Sequence, residues 1–136
     1  MPSLHKPKVL DASALLTYFE DQPGAQKVTE TLKRAAEEDQ RLLMSVINWG
    51  EVLYVMERRH GKDKRDAAER LMDQMGLEII DTDKELTRQA AHLKAENKLP
   101  YGDSFTAALA FIQKAELVTA DRDFKSVEDK VSILWV

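Results

Sequence analysis

The sequence contains no cysteine. Disulfides, thiolate zinc sites, iron–sulfur clusters and cysteine nucleophiles are thereby excluded. The three histidines, His5, His60 and His92, stand far apart, with no metal-ligand spacing between them. Any metal here is held by oxygen. Glycine and proline are scarce, at 5 and 4 residues in 136, so no low-complexity linker is expected. No apolar run approaches the ~20 residues of a membrane span. The opening residues lack the apolar stretch of a secretory signal, and the expected location is cytoplasmic. There is no Walker motif and no G-x-G-x-x-G fingerprint, so nucleotide-binding readings lack support. Positive charge is also short. Lys and Arg number 20 against 24 Asp and Glu, a net charge of −4, which argues against a nucleic-acid partner because the phosphate backbone rewards basic proteins.

What is present is the profile of a globular chain, with 43% apolar and 32% charged residues. A single domain spanning residues 1–136 fits this length. Short apolar runs alternate with helical patterns. Val9-Leu10, Leu42 to Val46, Leu77 to Ile80, Leu117 to Thr119 and Val131 to Val136 read as strands. Ser13 to Glu20, Ala25 to Ala35, Ile47 to His60, Ala67 to Met75, a segment carrying Leu86, Ala90 and Leu93, and Asp103 to Lys114 read as helices. Thr82 and Glu85 fit a capping box, with Thr at the N-cap and Glu at N3. Leu99-Pro100 is a break. The alternation predicts an α/β fold: a three-layer α/β/α sandwich around a parallel sheet of four to five strands.

The positions of certain acids carry more information than their number. Asp11 and Asp121 each stand at the C-terminal end of an apolar strand. In open α/β sheets, ligands bind beyond those ends, where the strand order reverses. Glu51 lies about one turn into the helix after the second strand, and Asp103 lies at the start of the helix before the fourth. Each has an ordinary alternative: Asp11 or Asp103 as an N-cap, Glu51 as a solvated helical acid, Asp121 as a turn residue. If they converge, like charges a few ångströms apart need a counter-charge. All-oxygen ligation suits Mg²⁺ or Mn²⁺. Such a site activates water and stabilises charge on a phosphoryl oxygen, which points to phosphodiester hydrolysis.

Four segments also resemble the motifs of PIN-domain nucleases, in the family's order and over nearly the whole chain. They are Val9-Leu10-Asp11-Ala12-Ser13, Ser45-Val46-Ile47-Asn48-Trp49-Gly50-Glu51, Leu99-Pro100-Tyr101-Gly102-Asp103-Ser104-Phe105 and Leu117-Val118-Thr119-Ala120-Asp121-Arg122-Asp123-Phe124. Size and arrangement look most like the VapC toxins of toxin–antitoxin pairs. The resemblance implies a PIN-like fold and a Mg²⁺- or Mn²⁺-dependent endoribonuclease acting on transfer or ribosomal RNA. Asp11, Glu51, Asp103 and Asp121 would be its catalytic, metal-holding acids. It further implies inhibition by a cognate antitoxin, a homodimer, and products with a 5′-phosphate and a 3′-hydroxyl. One departure is visible: Ala120 stands where a Gly is common.

Around these four acids stand secondary candidates. Asp123 is a further metal ligand or a turn residue. Ser13 and Thr119 are hydrogen-bond partners of a ligand or local caps. Asn48, one helical turn before Glu51, faces a similar way. The histidines read as surface residues, and Trp49, Trp135 and the methionines as core or partner contacts. Arg58, Arg59, His60, Lys62, Lys64 and Arg65 form a basic run. Such a run offers RNA phosphates a local positive surface on an acidic protein, or is a solvated helix end. Alternatives to a toxin are a housekeeping RNA-processing nuclease of the same chemistry, and a non-catalytic PIN-like module that binds RNA or protein. An aspartyl-phosphate phosphatase is disfavoured, since it wants Asp-x-Asp where this chain has Asp11-Ala12-Ser13.

Overall fold

The computed structural model describes residues 5–136. The first four residues, part of the opening stretch considered above, lie outside the described residues. Strands β1 (Lys8–Leu10), β2 (Leu42–Ser45), β3 (Leu77–Ile80), β4 (Glu116–Thr119) and β5 (Ile133–Trp135) form one sheet in the order β3-β2-β1-β4-β5. Every pairing is parallel. The connections hold helices α1 (Ala12–Phe19), α2 (Ala25–Glu37), α3 (Val46–His60), α4 (Lys62–Gln74), α5 (Lys84–Glu96) and α6 (Tyr101–Gln113), and a 3₁₀ helix (Arg122–Val127) precedes β5. This is the expected α/β/α architecture, with the larger of the expected strand numbers.

The centres of the inner strands are apolar because both faces of the sheet are covered, while Lys8 and Glu116 at the starts of β1 and β4 pair with each other. Successive side chains still go to opposite sides. Val9, Leu43 and Leu117 enter one core, with Leu86, Ala90, Leu93, Phe105 and Leu109 of α5 and α6. Leu10, Leu42, Met44 and Val118 enter the other, with Leu15, Val52, Met56 and Met72 of α1, α3 and α4. Each fully buried Val, Leu, Met or Phe contributes about 1.5–3 kcal/mol. Trp49 and Trp135 pack against these cores from partly buried positions, as expected. Helix α6 is the most enclosed helix, with every residue from Ser104 to Ala110 buried. Its alanines Ala107, Ala108 and Ala110 let it lie close on the sheet, which fixes the position of its first turn.

Several boundaries differ from expectation by one or two residues, each for a local reason. The N-cap of α5 is Asp83, not Thr82: the Asp83 carboxylate accepts the Leu86 backbone N–H at 2.8 Å. Helix α1 begins at Ala12 with Asp11 as its N-cap. Ser45 caps α3, so that helix starts at Val46. Helix α6 starts at Tyr101, with Pro100 at the N-cap position. Asp103 is therefore in the first turn and is not the cap. Gly61 joins α3 to α4 at φ +91°, a conformation that favours glycine.

The chain builds outward from β1 through β2 to β3, then returns to the other side of β1 with β4 and β5. Order reverses between β1 and β4, and a crevice opens beyond their C-terminal ends. Helix α3 leaves β2 at that edge. Helix α6 runs back before β4 and so begins at the same edge. The four strand-end and helix-start acids share one rim for this topological reason.

Candidate active site

Asp11 lies at the end of β1 and is only 3% exposed. Its carboxylate accepts from the Thr119 hydroxyl at 2.6 Å and from the Ala14 backbone N–H at 2.9 Å. The Ser13 hydroxyl sits 2.8 and 2.9 Å from its two oxygens. The same hydroxyls accept backbone N–H groups in turn, Ser13 from Ala120 at 3.0 Å and Thr119 from Asp121 at 2.9 Å. One polar network thus ties the end of β1 to the end of β4. The Ser13 and Thr119 hydroxyls and the Ala14 N–H all donate to it, so this network suits the ionised form. Burial nevertheless raises its pKa to about 6, opposed by those hydrogen bonds and reinforced by the charge of Asp121. Asp11 is a cap and a buried charge together; the two sequence alternatives are not exclusive.

Glu51 is half-buried on α3. Asn48, 1% exposed and one turn earlier, donates from Nδ2 to its Oε1 at 2.8 Å. Burial raises the Glu51 pKa, the Asn48 bond lowers it, and Asp121 raises it again. Across the crevice stands Gly102 of α6. A Cβ placed there would lie 2.8 Å from Glu51 Oε1, so the missing side chain is what admits the carboxylate. Gly102 is not among the residues expected from the sequence; a glycine in the first turn of a helix, next to a candidate acid, is the signal it offers.

Asp103 stands at the centre. Its pKa is pushed up to about 8, first by burial, then by the charges of Asp121 and Asp11, by a hydrogen bond shared with the Asp121 carboxyl that favours the protonated form, and by the charge of Glu51. Its Oδ2 is buried with no hydrogen-bond partner among the described residues. Oxygens of Asp103, Asp121 and Asp123 all lie within 4.8 Å of one another. Asp121 also caps the 3₁₀ helix by accepting the Asp123 N–H at 2.9 Å, which curls Asp123 back toward the cluster. Of the five acids considered from sequence, the structure gathers these three most tightly. Asp11 and Glu51 stand close enough to perturb or be perturbed by their charges.

The donor set fits a hard divalent cation. All its atoms are carboxylate oxygens, and two ligands at ~2.1–2.4 Å from one ion can be no more than ~4.2–4.8 Å apart. The orphaned Asp103 oxygen and the mutual repulsion both call for a counter-charge. Ala120 carries no strain where a Gly is common, because it is not among the positive-φ residues.

The basic run spans the last turn of α3 and the first turn of α4, beginning about 10 Å along the α3 axis from Glu51 at 1.5 Å per residue. Much of it is engaged. Arg59 and His60 pair with Glu20 at 2.8 and 2.7 Å. Arg65 pairs with Asp66 and Glu57. Arg58 lies over the Tyr54 ring at 5.4 Å, and Lys62 and Lys64 are exposed. The other two histidines are also on the surface: His92 pairs with Glu96 and His5 with Glu38. Nearer the acids, Arg122 was overlooked in the sequence; its guanidinium lies 4.7 Å from the Trp135 ring centroid.

Known proteins give the same frame. A VapC ribonuclease from Mycobacterium bovis is 27% identical over 124 residues, covering 85% of this chain and 92% of that protein. Ribonuclease VapC42 of Mycobacterium tuberculosis matches to the same extent. Among solved structures, VapBC2 from Rickettsia felis, bound to a DNA fragment from its promoter, superposes with a TM-score of 0.78 at 19% identity. It covers 93% of this chain and 96% of that one. VapC20 of Mycobacterium tuberculosis, a toxin that cleaves the sarcin–ricin loop, gives 0.71 at 17% identity, with coverage of 88% and 94%. The PIN-domain family model matches residues 8–130, a span that holds every strand-end acid described above, and the chain belongs to the PIN-domain family.

Proposed function

We propose that this protein is a Mg²⁺- or Mn²⁺-dependent endoribonuclease, and the toxin of a type II toxin–antitoxin pair. The observation that carries the chemistry is the carboxylate cluster at the crevice, with the unpartnered, buried Asp103 oxygen at its centre. Asp103, Asp121 and Asp123 would hold the ion directly, with Asp11 and Glu51 completing the set. A bound cation would supply an activated water and a counter-charge for the phosphoryl oxygen. The chain's own residues prepare that chemistry. Ser13, Thr119 and the Ala14 N–H fix the Asp11 carboxylate in one orientation. Asn48 and the gap at Gly102 fix Glu51. Burial of the Ser104 to Ala110 stretch holds Asp103 steady.

The biological role rests on the relatives. Two are named ribonucleases, one solved neighbour is a toxin that cleaves the sarcin–ricin loop, and others are toxin–antitoxin proteins. They support an RNA substrate and a cognate antitoxin; a target of the transfer or ribosomal RNA class, a homodimer and action in the cytoplasm are further parts of this proposal. No helix among the described residues is long and apolar enough to cross a membrane.

The test is cleavage of total RNA with Mn²⁺ or with chelator, mapping the cut ends. Wild-type protein should cut only with metal, and Asp11→Asn and Asp103→Asn should be folded and inactive. Undiminished metal-dependent cleavage by both variants refutes the assignment. Growth arrest on expression, rescued by a neighbouring gene's product, separates the toxin from an RNA-processing nuclease.

A further inference from the structure

An RNA-cutting site made of acids has an electrostatic problem, since the carboxylates that gather the ion repel the phosphates around the scissile bond. The basic run does little to solve it: it straddles the junction of α3 and α4, two turns from Glu51, and Arg59, His60 and Arg65 are paired with acids. Arg122 is placed differently. It follows Asp121 and precedes Asp123, and it is exposed. Both neighbouring carboxylates are obvious partners for a guanidinium, yet Arg122 forms a salt bridge with neither. Among the described residues its contact is the face of Trp135. Trp135 is paired with Thr119 at the C-terminal edge of the sheet, and it packs partly buried against the core. Its carbonyl is held by the Lys27 ammonium at 2.7 Å. The ring is therefore a fixed platform on the crevice rim.

A cation stacked on an aromatic face keeps its N–H edges free. Arg carries five such donors in a planar fork that matches a phosphate bidentately. Stacking on Trp135 fixes the plane of the fork, while Asp121 and Asp123 are left to the cation. We propose that Arg122, positioned by Trp135, is a phosphate-binding residue of the candidate active site. It would grip a backbone phosphate of single-stranded RNA next to the cleaved bond. This rests on the nuclease reading, to which it adds the contact that steers a polyanion into an acidic cleft.

The experiment measures binding of a short, mixed-sequence single-stranded oligoribonucleotide over a salt series, beside cleavage kinetics in Mn²⁺. For single strands, log K falls with log[salt] by ~0.7 per phosphate neutralised. Arg122→Gln should weaken binding roughly tenfold and reduce that slope by about 0.7, with KM rising more than kcat falls. Arg122→Lys should keep the slope and lose part of the affinity. Trp135→Leu should keep the slope and weaken binding by a smaller factor, because the charge remains but its orientation is lost. Unchanged affinity and slope in Arg122→Gln overturn the proposal. Wild-type protein that binds RNA through Arg122 without cutting it would sink only the nuclease reading. Protein that neither cuts nor binds would sink both.

Discussion

Asp103→Asn replaces the most perturbed acid of the crevice with a neutral group of nearly the same shape. In chelator, wild-type Asp103 has a folded-state pKa of about 8 against an ordinary value of 3.8. Between those values the folded chain binds more protons than the unfolded one, so stability falls as pH rises through that window. From pH 6 to pH 8 this carboxyl alone accounts for at most about 2 kcal/mol, and about 1 kcal/mol after allowing for solvent screening of a partly buried group. Asp11, with a pKa of about 6, adds a smaller decline over the same range. For a chain of this size ~1 kcal/mol moves Tm by about 3–5 °C. Thermal unfolding of wild type in chelator should therefore drop by several degrees between pH 6 and pH 8, and that of Asp103→Asn by distinctly less. Saturating Mg²⁺ should reverse the order. An ion at a hundred times its Kd stabilises wild type by about 2.7 kcal/mol, and the variant should gain little. Identical pH profiles for the two proteins in chelator, or a wild-type Tm that rises with pH, would refute the picture of mutually repelling buried acids.

Two further substitutions probe the supports of the site. Gly102→Ala places a methyl 2.8 Å from Glu51 Oε1, and the flexible carboxylate is what yields. Chemical unfolding should show stability unchanged or up by ~0.5–1 kcal/mol, since Ala is the better helix residue, while cleavage falls at least tenfold. Equal losses of stability and activity would contradict this. Asn48→Ala removes the bond that lowers the Glu51 pKa; the acid limb of the pH–rate profile should move to higher pH, and a profile that keeps its shape and position would count against the Asn48 role.

Much of the fold was legible in the residues themselves. Uninterrupted apolar runs fit strands covered on both faces, and amphipathic segments between them fit helices. Parallel order followed from their alternation. The rim acids were legible for a related reason: a carboxylate directly after a buried strand has nowhere to point but the sheet edge. Caps were less legible, because Thr82 and Asp83 are both competent and only backbone dihedrals decide which one turns inward. Arg122 went unnoticed because one-dimensional spacing gives no sign of a ring stacked beneath a guanidinium; the first-turn Gly102 beside an acid was a visible signal, but not which carboxylate fills the gap it leaves.

The sequence by itself determined the layer architecture, the all-oxygen donor set and the edge on which the acids lie, since these depend on side-chain type and periodicity. Only the tertiary structure decided that Asp123 turns back to join Asp103 and Asp121, that Asp11 is held by a hydroxyl network bridging β1 and β4, and that much of the basic run is engaged by Glu20, Glu57 and Asp66. Those outcomes depend on distances between residues as far as 108 positions apart, which are set by how helices seat on a twisted sheet rather than by local pattern.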